Sequence, residues 1–180
     1  MKQDLHEEIA LGKGVTASQV DALITLKGPK GSVSRRFLYP GVHVRIESDK
    51  IILSAERATK REKKIVGTFH AHLRNLVRGV QEPHEYLLKI CSGHFPMSVA
   101  IVGKEFVVKN FLGESVPRHI ALLPQVEVKI QGTDIFIQSV DKEAAGQMAA
   151  RIEQLCRITN RDRRVFQDGC YITKKSGRAG

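Results

Sequence analysis

The sequence predicts an α+β protein of two tandem repeats, each an antiparallel β-sheet covered by one α-helix, followed by a basic C-terminal extension. Three observations carry this expectation. The segment VHVRIESDKIIL, starting at Val42, recurs as VEVKIQGTDIFI, starting at Val126. An apolar stripe of helical period follows each copy, from Val66 in the first and from Ala145 in the second. Half of the excess positive charge lies after Cys156.

In the first unit a weak strand is expected around Val15 to Gln19, then one running through Leu26 into the turn Gly28 to Gly31. Val42, Val44 and Ile46 alternate, as do Ile51 and Leu53, so each set shares a strand face. The polar run Glu47, Ser48, Asp49 and Lys50 between them makes a hairpin. Thr59 and Glu62 have capping-box spacing, which starts a helix. Its apolar stripe is Val66, Gly67, Phe69, Leu73, Leu76 and Val77, and Gly79 is the expected C-cap. Gly79 to Pro83 forms the joint.

The second unit repeats this plan. A strand from Tyr86 to Cys91 turns at His94, Phe95 and Pro96. Ser98 to Val102 and Phe106 to Phe111 then pair across Gly103 and Lys104. A displacement of 85 sets Leu26 and Gly28 on Phe111 and Gly113. Val126, Val128 and Ile130 with Ile135 and Ile137 form the repeated hairpin, around Gln131 to Asp134. Asp141 caps a helix whose stripe is Ala145, Gly146, Met148, Ile152, Leu155 and Cys156. The expected domains are 1–82, 83–156 and an extension, 157–180, that resembles an arm lying on a partner more than a packed element.

Composition narrows the function. The chain has 180 residues, 42% of them apolar, which is enough for a buried core. It lacks an 18-residue apolar run and a secretory signal, so a cytoplasmic protein without a membrane span is expected. Cys91, Cys156 and Cys170 have no paired spacing and read as reduced thiols. Lys and Arg number 29 against 19 Asp and Glu, a net of +10. Residues 1–80 carry +7, residues 81–156 carry −2, and residues 157–180 carry +5. A polyanion, and first of all a nucleic acid, is the partner such a charge favours.

Lys27, Lys30, Arg35 and Arg36 ride on and just after the GPKG turn and suit phosphate contact. That turn lacks the G-x-x-x-x-G-K-[ST] spacing of a nucleotide loop. Arg57, Lys60, Arg61, Lys63 and Lys64 lead into the first helix and read mainly as its solvated face. His70 and His72 are two positions apart on that helix and cannot share a metal. Cys91 and His94 could serve a small hydrolase as nucleophile and base, but no nucleophile signature surrounds them. Seven Phe, three Tyr and no Trp leave few aromatics for base stacking, which favours gripping the shape and phosphates of folded RNA.

The motifs also carry a family resemblance. GTFHAHLRNLVRGV (Gly67 to Val80), ITLKGPKG (Ile24 to Gly31) and DKEAAGQMAARIEQL resemble segments of the large-subunit ribosomal protein six family. HFPMSV, KNFLGE and VFQDGCYITKK are similar to its archaeal and eukaryotic branch. The resemblance spans about Val15 to Lys175; the opening departs from it, with Ile9-Ala10 where the family often has Ile-Pro. It implies a two-domain component of the large ribosomal subunit, bound to large-subunit ribosomal RNA near the base of the factor-binding stalk. Neighbouring ribosomal proteins are implied partners, with translation factors nearby. It implies no enzymatic activity, no cofactor and no small-molecule substrate. RNA-facing positions carry over to Arg161, Arg163, Arg164, Tyr171, Lys174 and Lys175, and Arg118 is expected to bring the second unit's loops to RNA. The alternative function is a free-standing RNA chaperone or remodelling factor.

Overall fold

Alternating apolar residues set the strands of the first unit, Met1–Pro83. The structure, a computed structural model, describes residues 3–162 and 164–177. The strands are β1 (Gln3–Ala10), β2 (Thr16–Val20), β3 (Leu23–Gly28), β4 (Gly31–Arg36), β5 (His43–Ile46) and β6 (Lys50–Ala58). The helix α1 (Lys60–Gln81) follows. The strands form two three-stranded antiparallel sheets, β1-β6-β5 and β2-β3-β4, rather than the single sheet expected. Alternation marks the buried face of a strand and not its neighbour, and Ile24 and Leu26 on β3 and Ile51 and Leu53 on β6 are buried in two different sheets. α1 packs against strands of both, burying Val66, Leu73, Leu76 and Val80.

The capping box at Thr59 forms: its side chain accepts from Arg61 N, and Glu62 accepts from the Thr59 backbone N–H at 2.8 Å. The expected C-cap at Gly79 does not. The helix continues through Gly79, which is buried, and stops at Gln81. Pro83 forces the change, because Glu82 before it takes extended angles (φ −132°, ψ 114°).

The second unit, His84–Gly180, begins with β7 (His84–Cys91), β8 (Ser98–Val102), β9 (Glu105–Lys109) and β10 (Arg118–Ala121). It continues through β11 (Glu127–Gln131), β12 (Asp134–Ser139), α2 (Lys142–Leu155) and β13 (Gly169–Lys174). Its sheets are β10-β9-β8 and β11-β12-β7-β13. Asp141 caps α2 by accepting from Glu143 N at 2.9 Å. Two-residue turns join β8 to β9 and β11 to β12, with Gly103 and Gly132 both at φ +60°, the left-handed backbone such turns require. Phe106, Phe111, Ile135, Ile137, Met148 and Ile152 are fully buried in one core.

Two expectations change here. The earlier hairpins superpose at a displacement of 82 rather than 85, since β2 and β3 correspond to β8 and β9. Ile24 and Leu26 then match Phe106 and Val108, all buried. β9 ends at Lys109, and Phe111 sits in a 3-10 turn (Phe111–Gly113) outside the strand. The second change concerns the extension. It contributes β13, which pairs antiparallel with β7 from Gly169↔Cys91 to Ile172↔Leu88, and Cys170 is buried. β7 otherwise offers a row of free backbone groups, and covering that edge stabilises the strand that covers it.

Candidate nucleic-acid interface

The first unit's basic loop is held by a close approach of backbone to backbone. A Cβ at Gly28 would lie 2.7 Å from the Val80 carbonyl oxygen, so only glycine fits. The Lys30 N–H donates to that carbonyl at 3.1 Å, taking one of the acceptors left over at the end of α1. The loop therefore rides on the helix end, with Lys27 and Lys30 exposed. Strand register sets what surrounds them. Thr16, Lys27 and Ser32 form one row, Ser18, Thr25 and Ser34 the next, and Val20, Leu23 and Arg36 the third. These rows give the outer face hydroxyls, with a cation at either end. Arg35 pairs with the buried Ile24 and belongs to the opposite face. The four basic residues of this loop are thus not one cluster: Lys27 and Arg36 share a face, Lys30 tops the turn, and Arg35 lies behind.

In the second unit the segment between α2 and β13 is clamped at its root by Arg118. This guanidinium makes a bidentate pair with Glu114, at 2.8 Å and 2.5 Å. It also donates to the carbonyls of Leu155 at 2.7 Å and Arg157 at 3.3 Å. Its carbon lies 4.2 Å from the Phe111 ring centroid. The hydrogen bonds raise the Arg118 pKa and lower that of Glu114. Arg118 satisfies the last carbonyl of α2 and that of Arg157 just beyond it, so these donors serve the fold rather than a surface ligand.

The far end of the segment is held by Asp168, whose side chain is only 2% exposed. It accepts from Gly93 N at 2.6 Å, His94 N at 3.0 Å and His94 Nδ1 at 2.8 Å. Burial works against the carboxylate charge, but these donors outweigh it and hold the pKa below the ordinary value. His94 stacks on Phe166 with centroids 4.7 Å apart and planes tilted by 26°. Arg161 covers the same ring at 4.8 Å. His94 directs Nδ1 at Asp168, and Cys91 lies in β7 opposite Gly169.

Of the other residues carried over to RNA, Arg164 is exposed and paired with Asp162 at 2.8 Å, Tyr171 donates to the Asp168 carbonyl at 3.3 Å, and Lys174 and Lys175 are exposed. Arg163 lies outside the described residues. Cys156 and Cys170 are buried thiols sharing a hydrogen bond, which lowers the first pKa and raises the second. Among the described residues no group of His, Cys, Asp and Glu could hold a metal ion, and no helix is long and apolar enough to cross a membrane. Sequence reasoning did not find the contacts of Asp168, His94 and Phe166. Their one local signal is that Asp168 is one of two acidic residues in the basic stretch after Cys156.

Comparison with known proteins adds a second kind of evidence. The family described as ribosomal protein L6 matches the chain twice, over residues 11–83 and 95–169. The chain is 42% identical to the large ribosomal subunit protein uL6 of Methanosarcina mazei, covering 98% of this chain and 100% of that one. It is 44% identical to uL6 of Methanocella arvoryzae over 98% of this chain and all of that one. With uL6 of Haloarcula marismortui it shares 40% identity, over 95% and 96% respectively.

Proposed function

This chain belongs to the ribosomal protein L6 family, and from that premise we propose that it is a structural component of the large ribosomal subunit, in the cytoplasmic ribosome. Its role there is to bind large-subunit ribosomal RNA near the base of the factor-binding stalk and to support translation. Neighbouring ribosomal proteins are its other partners, and translation factors dock nearby. The family is structural, and the chain is not an enzyme. The observation that carries the reading is coverage: proteins named for the large subunit match end to end, through both repeats.

The proposed RNA contacts are Lys27, Lys30 and Arg36 in the first unit and Arg161, Arg164, Tyr171, Lys174 and Lys175 in the second. Arg118 supports the second set from beneath. Residues 81–156 carry a net −2, so the second unit grips through its α2–β13 segment and β13, not through its average surface. Such contacts are electrostatic, and log affinity should fall linearly with log salt. Sedimentation of a lysate tests the reading. A ribosomal component tracks the large subunit in stoichiometric yield, whereas a free RNA chaperone stays near the top of the gradient and would overturn it.

A further inference from the structure

We propose that Arg161, Phe166 and His94 form a stacking site for one unstacked base of the RNA. The proposal rests on the RNA-binding reading above and goes beyond phosphate contact. Two groups lie against the Phe166 ring: the His94 imidazole is stacked at 4.7 Å between centroids, and the Arg161 guanidinium carbon lies over the ring at 4.8 Å from its centroid. Phe166 is half-buried against the second core, whereas the His94 side chain is 37% exposed and Arg161 is exposed. A guanidinium plane backed by an aromatic ring is a surface on which splayed RNA bases stack.

The site is built before a ligand arrives. Arg118 fixes the carbonyls where the segment leaves α2. Asp168 fixes the loop that carries His94 through three hydrogen bonds, although 74 residues separate His94 from it in sequence. Phe166 N donates to the Asp162 carbonyl at 2.9 Å, which sets the turn that presents the ring. Holding both sides of a stack in place removes the ordering cost that a loose loop would impose on binding.

The test compares two RNA hairpins with one stem sequence, one carrying an unpaired 2-aminopurine bulge and one fully paired. The full chain should bind the bulged hairpin on the order of tenfold more tightly, with quenching of the probe. Arg161→Lys keeps the charge and loses the plane, and Phe166→Leu keeps the apolar packing and loses the ring. Each should abolish the preference and the quenching. Arg161 is exposed, so its variant tests the idea even if Phe166→Leu lowers the melting temperature. Equal binding of both hairpins by the unaltered chain, or a preference that survives Arg161→Lys, overturns the stacking site alone. Binding to neither hairpin overturns the RNA reading and the site with it.

Discussion

The two units follow one course and differ chiefly at two strands. In the first, β4 sets Val33 opposite Leu26. In the second, β10 sets Arg118 opposite Val108, at the corresponding place. A small apolar residue simply closes the first sheet. The arginine instead reaches Glu114, Phe111 and the end of α2. The other difference is at the sheet edge. β1 stands at the edge of its sheet, with Gln3, Asp4, His6 and Glu8 exposed, and charged side chains discourage pairing with other chains. Its counterpart β7 is covered by β13. Duplication thus supplied the scaffold twice, and the second copy devotes its differences to holding one segment in place.

The largest expected effect comes from removing residues 157–180. The truncation strips Ile158, Phe166, Cys170 and Ile172 from the second core, costing on the order of 5 kcal/mol, comparable to the whole stability of a small domain. Residues 1–82 alone should still fold cooperatively, though marginally at that size. Calorimetry and amide exchange check both. Full protection of β7 after truncation would make β13 an ornament, and no protected amides in 1–82 would mean the repeats share a core.

Arg118→Ala should cost about 2–4 kcal/mol, because it leaves Glu114 and two carbonyls without their donor. The matching Val33→Ala should cost about 1–2 kcal/mol, the transfer of two carbon groups. Denaturant titration compares the two. Equal losses would erase the distinction between a closing residue and a clamping one.

Asp168→Asn should cost about 1–3 kcal/mol and change the acid response. The folded pKa of Asp168 lies below its ordinary value. Its contribution is therefore full above the unfolded pKa, about 3.9, and fades as pH falls through the folded value. The unaltered second unit should lose stability on acidification in that window, and the variant should lose less. Identical acid curves for the two proteins would exclude the carboxylate as the source.

The smallest effect on stability, within about 0.5 kcal/mol, is expected from neutralising surface cations. Arg161, Lys174 and Lys175 changed together to Gln should reduce the salt slope of RNA binding by about 0.7–0.9 for each phosphate no longer neutralised. Changing Lys27, Lys30 and Arg36 to Gln should reduce it less. The reverse order would move the main grip to the first unit.

Much of this molecule was legible in its sequence because the signals are local. Alternation at Val44, Ile46, Ile51 and Leu53 marks β5 and β6, and a stripe from Val66 to Val77 marks α1. Thr59 with Glu62, and Asp141, mark where the helices begin. The internal repeat follows from the same patterns read twice, and so does the α+β class. The number of sheets does not, since period two tells which face of a strand is buried and not which strand lies beside it.

What only the tertiary structure decided depends on partners far apart in the chain. The segment after Cys156 reads as an arm because its charge dominates any local pattern. It packs because β7, which opens the same unit, has an edge to cover and a core that accepts Cys170. Arg118 reads as a surface cation until the end of α2 is brought to it. Asp168 reads as a minor counter-charge until Gly93 and His94 close around its carboxylate. Local periodicity records how each residue faces its own element. Hydrogen bonds and stacking between partners so distant in the chain depend on a register and a loop path that no short window contains.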